Sequence, residues 1–119
     1  MQGLNRIYLL GYLGNDPYKY QTTTGRPYTG LSIATTRKNY GAEEGESKET
    51  TDWHFVRVWG KQAESCVKYL TKGQPVMVEG YLSQYSQQKE GSEETERKVG
   101  INATRVDFLP RTNSSVEQN

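Results

Sequence analysis

The stretch Asp52-Trp-His-Phe-Val-Arg-Val-Trp-Gly-Lys61 decides how the rest of the chain is read. Side chains along a strand alternate between its two faces. Trp53, Phe55, Arg57 and Trp59 therefore share one face, and His54, Val56 and Val58 share the other. Arg57 argues against burying the first face, because an unpaired charge in a core is very costly. The valine face is the better core candidate, so the rings and the arginine are turned outward. This strand is expected over Thr51 to Trp59.

Outward from it, the pattern predicts a small barrel. Lys61 to Leu70 is the one convincing helix, with Ala63, Cys66, Val67 and Leu70 on a single apolar stripe at i, i+3, i+4 and i+7. Gly73 lies where a left-handed helix cap is favourable. Before the helix, Asn5 to Leu13 reads as a first strand, with a bulge or tight bend at Gly11. Tyr18 to Thr22 is a minor strand. Tyr28 to Lys38 is a second main strand, with Leu31 and Ile33 facing inward. After the helix, Gln74 to Tyr85 is a fourth strand, with Val76 and Val78 inward and Met77 and Glu79 opposite. Lys98 to Leu109 is a fifth, whose parity slips between Ala103 and Val106, as a bulge would cause. Gly41–Lys48 and Gln87–Glu96 are polar, acidic loops. The fold class is all-β: a five-stranded barrel with one α-helix between strands 3 and 4, the order of an OB-fold. Residues 1–109 form one domain, and 110–119 a flexible polar C-terminal tail.

Composition bounds the function. The chain has 119 residues and a net charge of +1, so total charge does not announce a polyanionic partner. Its distribution says more. Met1 to Tyr40 holds Arg6, Lys19, Arg26, Arg37 and Lys38 against Asp16 alone, whereas Gly41 to Thr50 holds four glutamates and one lysine. Nine tyrosines against two Phe and two Trp supply flat rings with a wet end, useful on binding faces and in half-buried strands alike. No apolar run reaches the roughly 20 residues of a membrane span, and no signal or transit segment is evident. Cys66, the single cysteine, makes no intrachain disulfide; it suits a reducing, cytoplasmic setting. With His54 the single histidine, no zinc site of usual spacing and no oriented catalytic base can be drawn. A phosphate-cradling Gly-rich loop is absent too. No cofactor, no metal and no enzymatic activity are expected.

The outward face is the stronger signal. Trp53 and Trp59 lie roughly 20 Å apart at about 3.3 Å per residue, with Phe55 and Arg57 between. Rings on which bases stack, interleaved with cations that follow phosphates, are what single-stranded nucleic acid requires.

The chain resembles the bacterial single-stranded DNA-binding protein family. The resemblance rests on Leu9-Leu-Gly-Tyr-Leu-Gly-Asn-Asp-Pro17, Leu31-Ser-Ile-Ala-Thr35, Thr51 through Glu64, and Tyr69-Leu-Thr-Lys-Gly-Gln-Pro-Val-Met-Val-Glu-Gly-Tyr-Leu82. It implies a homotetramer of OB folds, with a dimer of dimers as one arrangement, single-stranded DNA wrapped around it and no chemistry performed. It implies stacking on Trp53 and Trp59, basic contacts from Lys61 and Lys72, and a subunit interface at Asn5, Arg6, His54 and Glu79, with an Arg6–Glu79 pair across it. It implies roles in DNA replication, recombination and repair near the nucleoid.

The match departs at three places. The family's Trp after the second strand falls on Asn39, with Tyr40 one residue on. Its third Trp falls on Gln87, with Tyr85 near. The acidic tip that recruits other proteins is not present in the ending Ser-Val-Glu-Gln-Asn, so recruitment by that route is not expected of this chain. Four acids in each of Glu43–Glu49 and Glu90–Glu96 would repel phosphate and weaken binding, leaving Arg37, Lys38, Arg57, Lys61 and Lys72 to carry a strong salt dependence. Two competing readings use the same barrel: a protein-interaction module that has lost stacking residues, and an RNA or tRNA binder.

Overall fold

A computed structural model describes residues 1–39, 48–88 and 91–111. The elements run β1 (Ile7–Leu13), β2 (Tyr18–Gln21), β3 (Pro27–Asn39), β4 (Lys48–Val58), α1 (Gly60–Tyr69), β5 (Pro75–Gln88) and β6 (Thr95–Phe108). The strands neighbour in the order β1-β5-β6-β4-β3-β2, and β1 also pairs with β3. Five strands thus close on themselves, and the short β2 is added outside β3. With β2 counted apart, α1 falls between the third and fourth barrel strands. This is the OB-fold that the element order predicts. The single parallel seam among the described strands is β4 with β6, where Val56 faces Ile101.

Alternation fills the barrel as expected. Leu31, Ile33, Val56, Val58, Val76 and Val78 are all buried, and Ile101 and Val106 join them from β6. The stripe of α1 closes one end: Ala63 and Cys66 are buried, and Leu70 follows just after the helix. A buried Thr29 hydroxyl donates to the Ala63 carbonyl at 3.1 Å, tying α1 to β3. The Gln62 side chain accepts from the Val106 amide and ties it to β6.

Burial pushes the Cys66 thiol up to about 11. The thiolate is the reactive form. Cys66 should therefore resist iodoacetamide at about pH 8 in the folded protein and react once urea unfolds it; prompt labelling of the native protein would contradict its place in the core. The stability this shift contributes is full below the free thiol's range, near 8.5, and is lost as pH rises toward 11.

Three local expectations were corrected. Gly73 does not cap the helix. Leu70 ends it in extended geometry (φ −97, ψ 145), and Gly73, at φ +89, instead occupies the turn in which the Gln74 amide donates to the Thr71 carbonyl at 3.2 Å. A glycine is favoured at that third turn position because φ must be positive there. At Gly11 there is no bulge, since pairing with β5 is unbroken from Ile7 to Tyr12. The glycine is needed for close approach instead: a Cβ would run into the Ala34 carbonyl oxygen and would stand 2.9 Å from the Ile33 Cγ2. The strands also outrun their expected ends. β4 starts at Lys48, with Glu49 opposite Lys38, and β5 and β6 pair out to Gln88 and Thr95. Ladder pairing and facing charges override the weak strand preference of these polar residues.

The bulge in β6 does occur. Glu79 faces Arg105 and Gly80 faces Ala103, which leaves Thr104 as the extra residue. Its hydroxyl donates to the Glu79 carbonyl at 3.0 Å. The loop 41–47 and most of the expected tail, residues 112–119, lie outside the described residues. The Arg111 guanidinium donates to the Thr71 hydroxyl at 2.6 Å and the Lys72 carbonyl at 2.8 Å.

Candidate nucleic-acid interface

The outer face of β4 presents Trp53, Phe55 and Arg57. Trp59 continues the alternation in the extended residue that precedes α1 (φ −118, ψ 158). Around them the fold gathers rings from other strands. Tyr18 and Tyr20, two apart on β2, are 5.0 Å from each other between ring centres. Tyr20 stacks on Tyr28 at 5.4 Å and meets Phe55 edge-on at 5.9 Å. Tyr28 lies 4.9 Å from Trp59. The Arg57 guanidinium sits among Tyr85, Trp59 and Tyr28, at 4.4, 4.7 and 4.9 Å from their centres. Arg26 covers Trp59 at 4.1 Å.

Glycines let these rings lie against the sheet. A Cβ on Gly14 would overlap the Trp53 ring; one on Gly30 would meet Tyr20 at 2.6 Å and Phe55 at 2.8 Å; one on Gly100 would meet Tyr85 at 3.0 Å. An aromatic placed over a strand glycine covers backbone that would otherwise face solvent. Burial pushes the Tyr28 phenol above its usual range, and the Arg57 charge offsets this only in part, so Tyr28 stays neutral.

The two tryptophans have different surroundings. Trp53 is 63% exposed. Trp59 is half-buried, and its indole nitrogen donates at 3.0 Å to the side chain of buried Asn102, which donates in turn to the Ser83 hydroxyl at 2.6 Å.

The basic candidates are scattered. Register places Lys38 on the Trp53 side of the β3–β4 ribbon, since Ala34 faces Trp53 and Lys38 is four residues along. Arg37 is on the reverse side, where it donates to Asp52 at 2.7 Å and to the Asn39 side chain at 2.9 Å. Lys61 opens α1 in a cleft shared with Lys19, Tyr28 and Glu64, at the Trp59 end. Lys72 is at the other end: its amide donates to Asp16 at 2.8 Å, and the next amide, of Gly73, donates to Leu13 at 2.8 Å, beside the Gly14 that underlies Trp53. Tyr40 lies outside the described residues. Sequence reasoning overlooked Tyr18, Tyr20, Tyr28 and Arg26. The i, i+2 spacing of Tyr18 and Tyr20 was the available signal.

Residues 4–109 match the single-strand binding protein family. The chain belongs to that family. It is 40% identical over 81 residues to a single-stranded DNA-binding protein 1 of Chlorobaculum tepidum, covering 68% of this chain and 49% of the relative. It is 45% identical over 83 residues to a single-stranded DNA-binding protein of Xanthomonas campestris pv. campestris, covering 68% and 46%. The chain thus spans about half the length of these relatives. Its fold matches a Plasmodium falciparum SSB solved in complex with single-stranded DNA, with a TM-score of 0.75 and 27% identity, over 92% of this chain and 98% of the other.

Within this family frame, the expected interface residues fall in two places. The Asn5 side chain donates to the Leu82 carbonyl at 2.7 Å and accepts from its amide at 3.0 Å, standing in for a strand partner. Arg6 pairs with Glu79 at 2.7 Å within the chain. The reason is topological: β1 runs beside β5 with Tyr8 opposite Glu79, so Arg6 reaches Glu79 directly. His54 is elsewhere, on the β3–β4 ribbon, hydrogen-bonded to the Thr35 hydroxyl at 2.8 Å.

Proposed function

We propose that this protein binds and protects single-stranded DNA, largely without sequence preference, during replication, recombination and repair. It acts by stacking and phosphate contact and performs no chemistry. The observation that carries this reading is the outer face of β4, where Trp53 stands open over Gly14 and the cluster from Phe55 to Tyr18 continues the row. Bases of any identity have a flat face to stack, which makes such a row tolerant of sequence. Arg57 and Arg26 add charge within it, and Lys38, Lys61 and Lys72 lie along its length.

The working form is a homotetramer in the bacterial cytoplasm, associated with the nucleoid. The outer face of β1 and β5 supports self-association: Tyr8, Leu10, Tyr12, Met77 and Tyr81 are all exposed there, with Asn5, Arg6 and Glu79 nearby. Contiguous exposed apolar surface of this kind marks an interaction site. Among the described residues, no helix is long and apolar enough to cross a membrane.

The test is a titration of tryptophan emission with oligo-dT, then with duplex and oligo-rU. Strong quenching by oligo-dT alone is expected, with log affinity falling by about 0.7 per phosphate contact for each tenfold rise in salt. No quenching at low salt would remove the reading. Equal binding of oligo-rU would widen it to RNA.

A further inference from the structure

Arg6, Arg37 and Arg105 each hold a carboxylate at 2.7 to 2.9 Å. Arg26 and Arg57 hold none among the described residues, and both lie over Trp59, at 4.1 and 4.7 Å from its centre. Their anchoring differs. Arg57 stands on β4, against Tyr28 and Tyr85 as well, with its Nε buried. Arg26 is exposed, in the turn that joins β2 to β3. That turn is closed by its own backbone: the Thr22 amide donates to the Arg26 carbonyl and the Gly25 amide to the Thr22 carbonyl, each at 2.9 Å. The Arg26 amide donates to the Thr22 hydroxyl at 3.0 Å. Among the described residues, no hydrogen bond or ion pair ties the Arg26 guanidinium, which rests on the ring.

The rest of the Trp59 ring is occupied too. Its nitrogen donates to Asn102 at 3.0 Å, and Tyr28 lies 4.9 Å away, tilted by 43°. A base that is to stack on Trp59 therefore needs one of these contacts to give way. Tyr28, Arg57 and Asn102 are held on β3, β4 and β6 of the barrel. Arg26 has only to turn about its own side-chain bonds. With a single strand at hand the exchange is favourable. A base stacked on an aromatic ring is worth more than an exposed cation–π contact. The released guanidinium is then free for a phosphate beside that base, and its planar fork fits phosphate oxygens. In the free protein, the same side chain covers apolar ring surface that would otherwise stand in water.

We infer that Arg26 is a placeholder on Trp59: its guanidinium occupies the ring in the free protein, yields it to a base of the bound strand, and passes to a phosphate of that strand. This rests on the single-strand reading above, with a base stacked on Trp59. Arg57, which stays in place, supplies the fixed charge beside it. Arg26 then contributes in two opposed ways. Its cover over the ring opposes binding at every salt concentration. Its phosphate contact favours binding and fades as salt rises.

Binding is followed by anisotropy of a labelled oligo-dT of about ten nucleotides, short enough for one barrel, so that a single Arg26 is read. Arg26→Ala should flatten the plot of log affinity against log salt by about 0.7, the value of one phosphate contact. Its line should also cross that of the wild type. At about 1 M salt, where the counterion contribution vanishes, the variant should bind about 2- to 5-fold more tightly, the worth of the lost cover. The two effects balance between about 0.1 and 0.4 M salt, and below that the wild type should bind more tightly. Trp53→Phe leaves Trp59 as the single tryptophan. In that background, saturating oligo-dT should quench Trp59 with or without Arg26→Ala, and acrylamide should reach Trp59 of the free protein more readily once Arg26→Ala is added. An arginine that only contacts phosphate would give a flatter line that stays below the wild type up to about 1 M salt, and that result overturns the inference. An unchanged slope, unchanged acrylamide access, or a Trp59 that does not respond to saturating oligo-dT overturns it equally. A wild-type protein that fails to bind oligo-dT at low salt removes the single-strand reading itself, which no variant result can mimic.

Discussion

Trp53→Ala weakens binding of oligo-dT by about 5- to 150-fold and leaves the assembly and its stability nearly unchanged. The range is the ordinary worth of one base–aromatic stack, roughly 1–3 kcal/mol, converted at about 1.4 kcal/mol per tenfold. The structure explains why loss and stability separate at this position. The ring is 63% exposed and rests on Gly14, with none of the buried core against it. Removing it opens no cavity, so the melting temperature should move by only a degree or two, as for ordinary surface changes. The indole is also the largest open flat surface on the β4 face, because Trp59 is hydrogen-bonded to Asn102 and covered by Arg26. Fluorescence titration, calorimetry and sedimentation on one preparation would decide it. Unchanged affinity would remove Trp53 from the binding face. A fall in assembled mass would mean that this face is a subunit contact instead.

The division between core and outer face was legible in Asp52–Lys61 because two simple rules agree there. Strand alternation separates two faces, and the energetic exclusion of unpaired charge says which is outward. Val56 and Val58 are fully buried and Trp53 is not, as those rules require. The β6 bulge was legible for the same reason, since an extra residue at Thr104 has to shift the apolar parity. What alternation cannot report is what covers an outward side chain. Trp53 and Trp59 look equivalent in the sequence, yet one is open and the other is held by Arg26, from the far side of the β2–β3 turn. Tyr18, Tyr20 and Tyr28 reach the face through the pairing of β2 with β3, where Tyr20 faces Tyr28. That pairing is non-local to β4, and a reading outward from β4 meets those tyrosines only as members of a separate strand. Arg6 and Glu79 were legible as a pair, and the β1–β5 register brings them together within the chain.

Gly11→Ala should be among the most destabilising single-methyl changes in this chain, because Gly11 lies where the barrel closes. Next to it, Tyr12 pairs with Pro75 of β5 on one side and with Ala34 of β3 on the other. A barrel removes its sheet edges only if one strand can pair on both sides. β1 does this by crossing β3 so closely that a Cβ at Gly11 would run into the Ala34 carbonyl oxygen and crowd the Ile33 methyl. The obstruction is backbone on one side and a fully buried side chain on the other, so neither can swing away. Overpacking in a filled core costs about 1–3 kcal/mol, and a rigid neighbour puts this site at or above the upper end. For a domain near 100 residues, about 3 kcal/mol lowers the melting temperature by roughly 12–24 °C. The damage should be selective. Amides that tie the end of β1 to β3, such as that of Gly14, which donates to the Ser32 carbonyl at 2.9 Å, should lose hydrogen-exchange protection before those of the β5–β6 hairpin, whose pairing does not depend on this crossing. Single-strand binding should fall at least in proportion to the unfolded fraction, since the strand that must yield carries Ala34, the register partner of Trp53. A melting temperature within a few degrees of wild type would show that β3 can retreat from β1, and the closure would then be looser than its packing indicates.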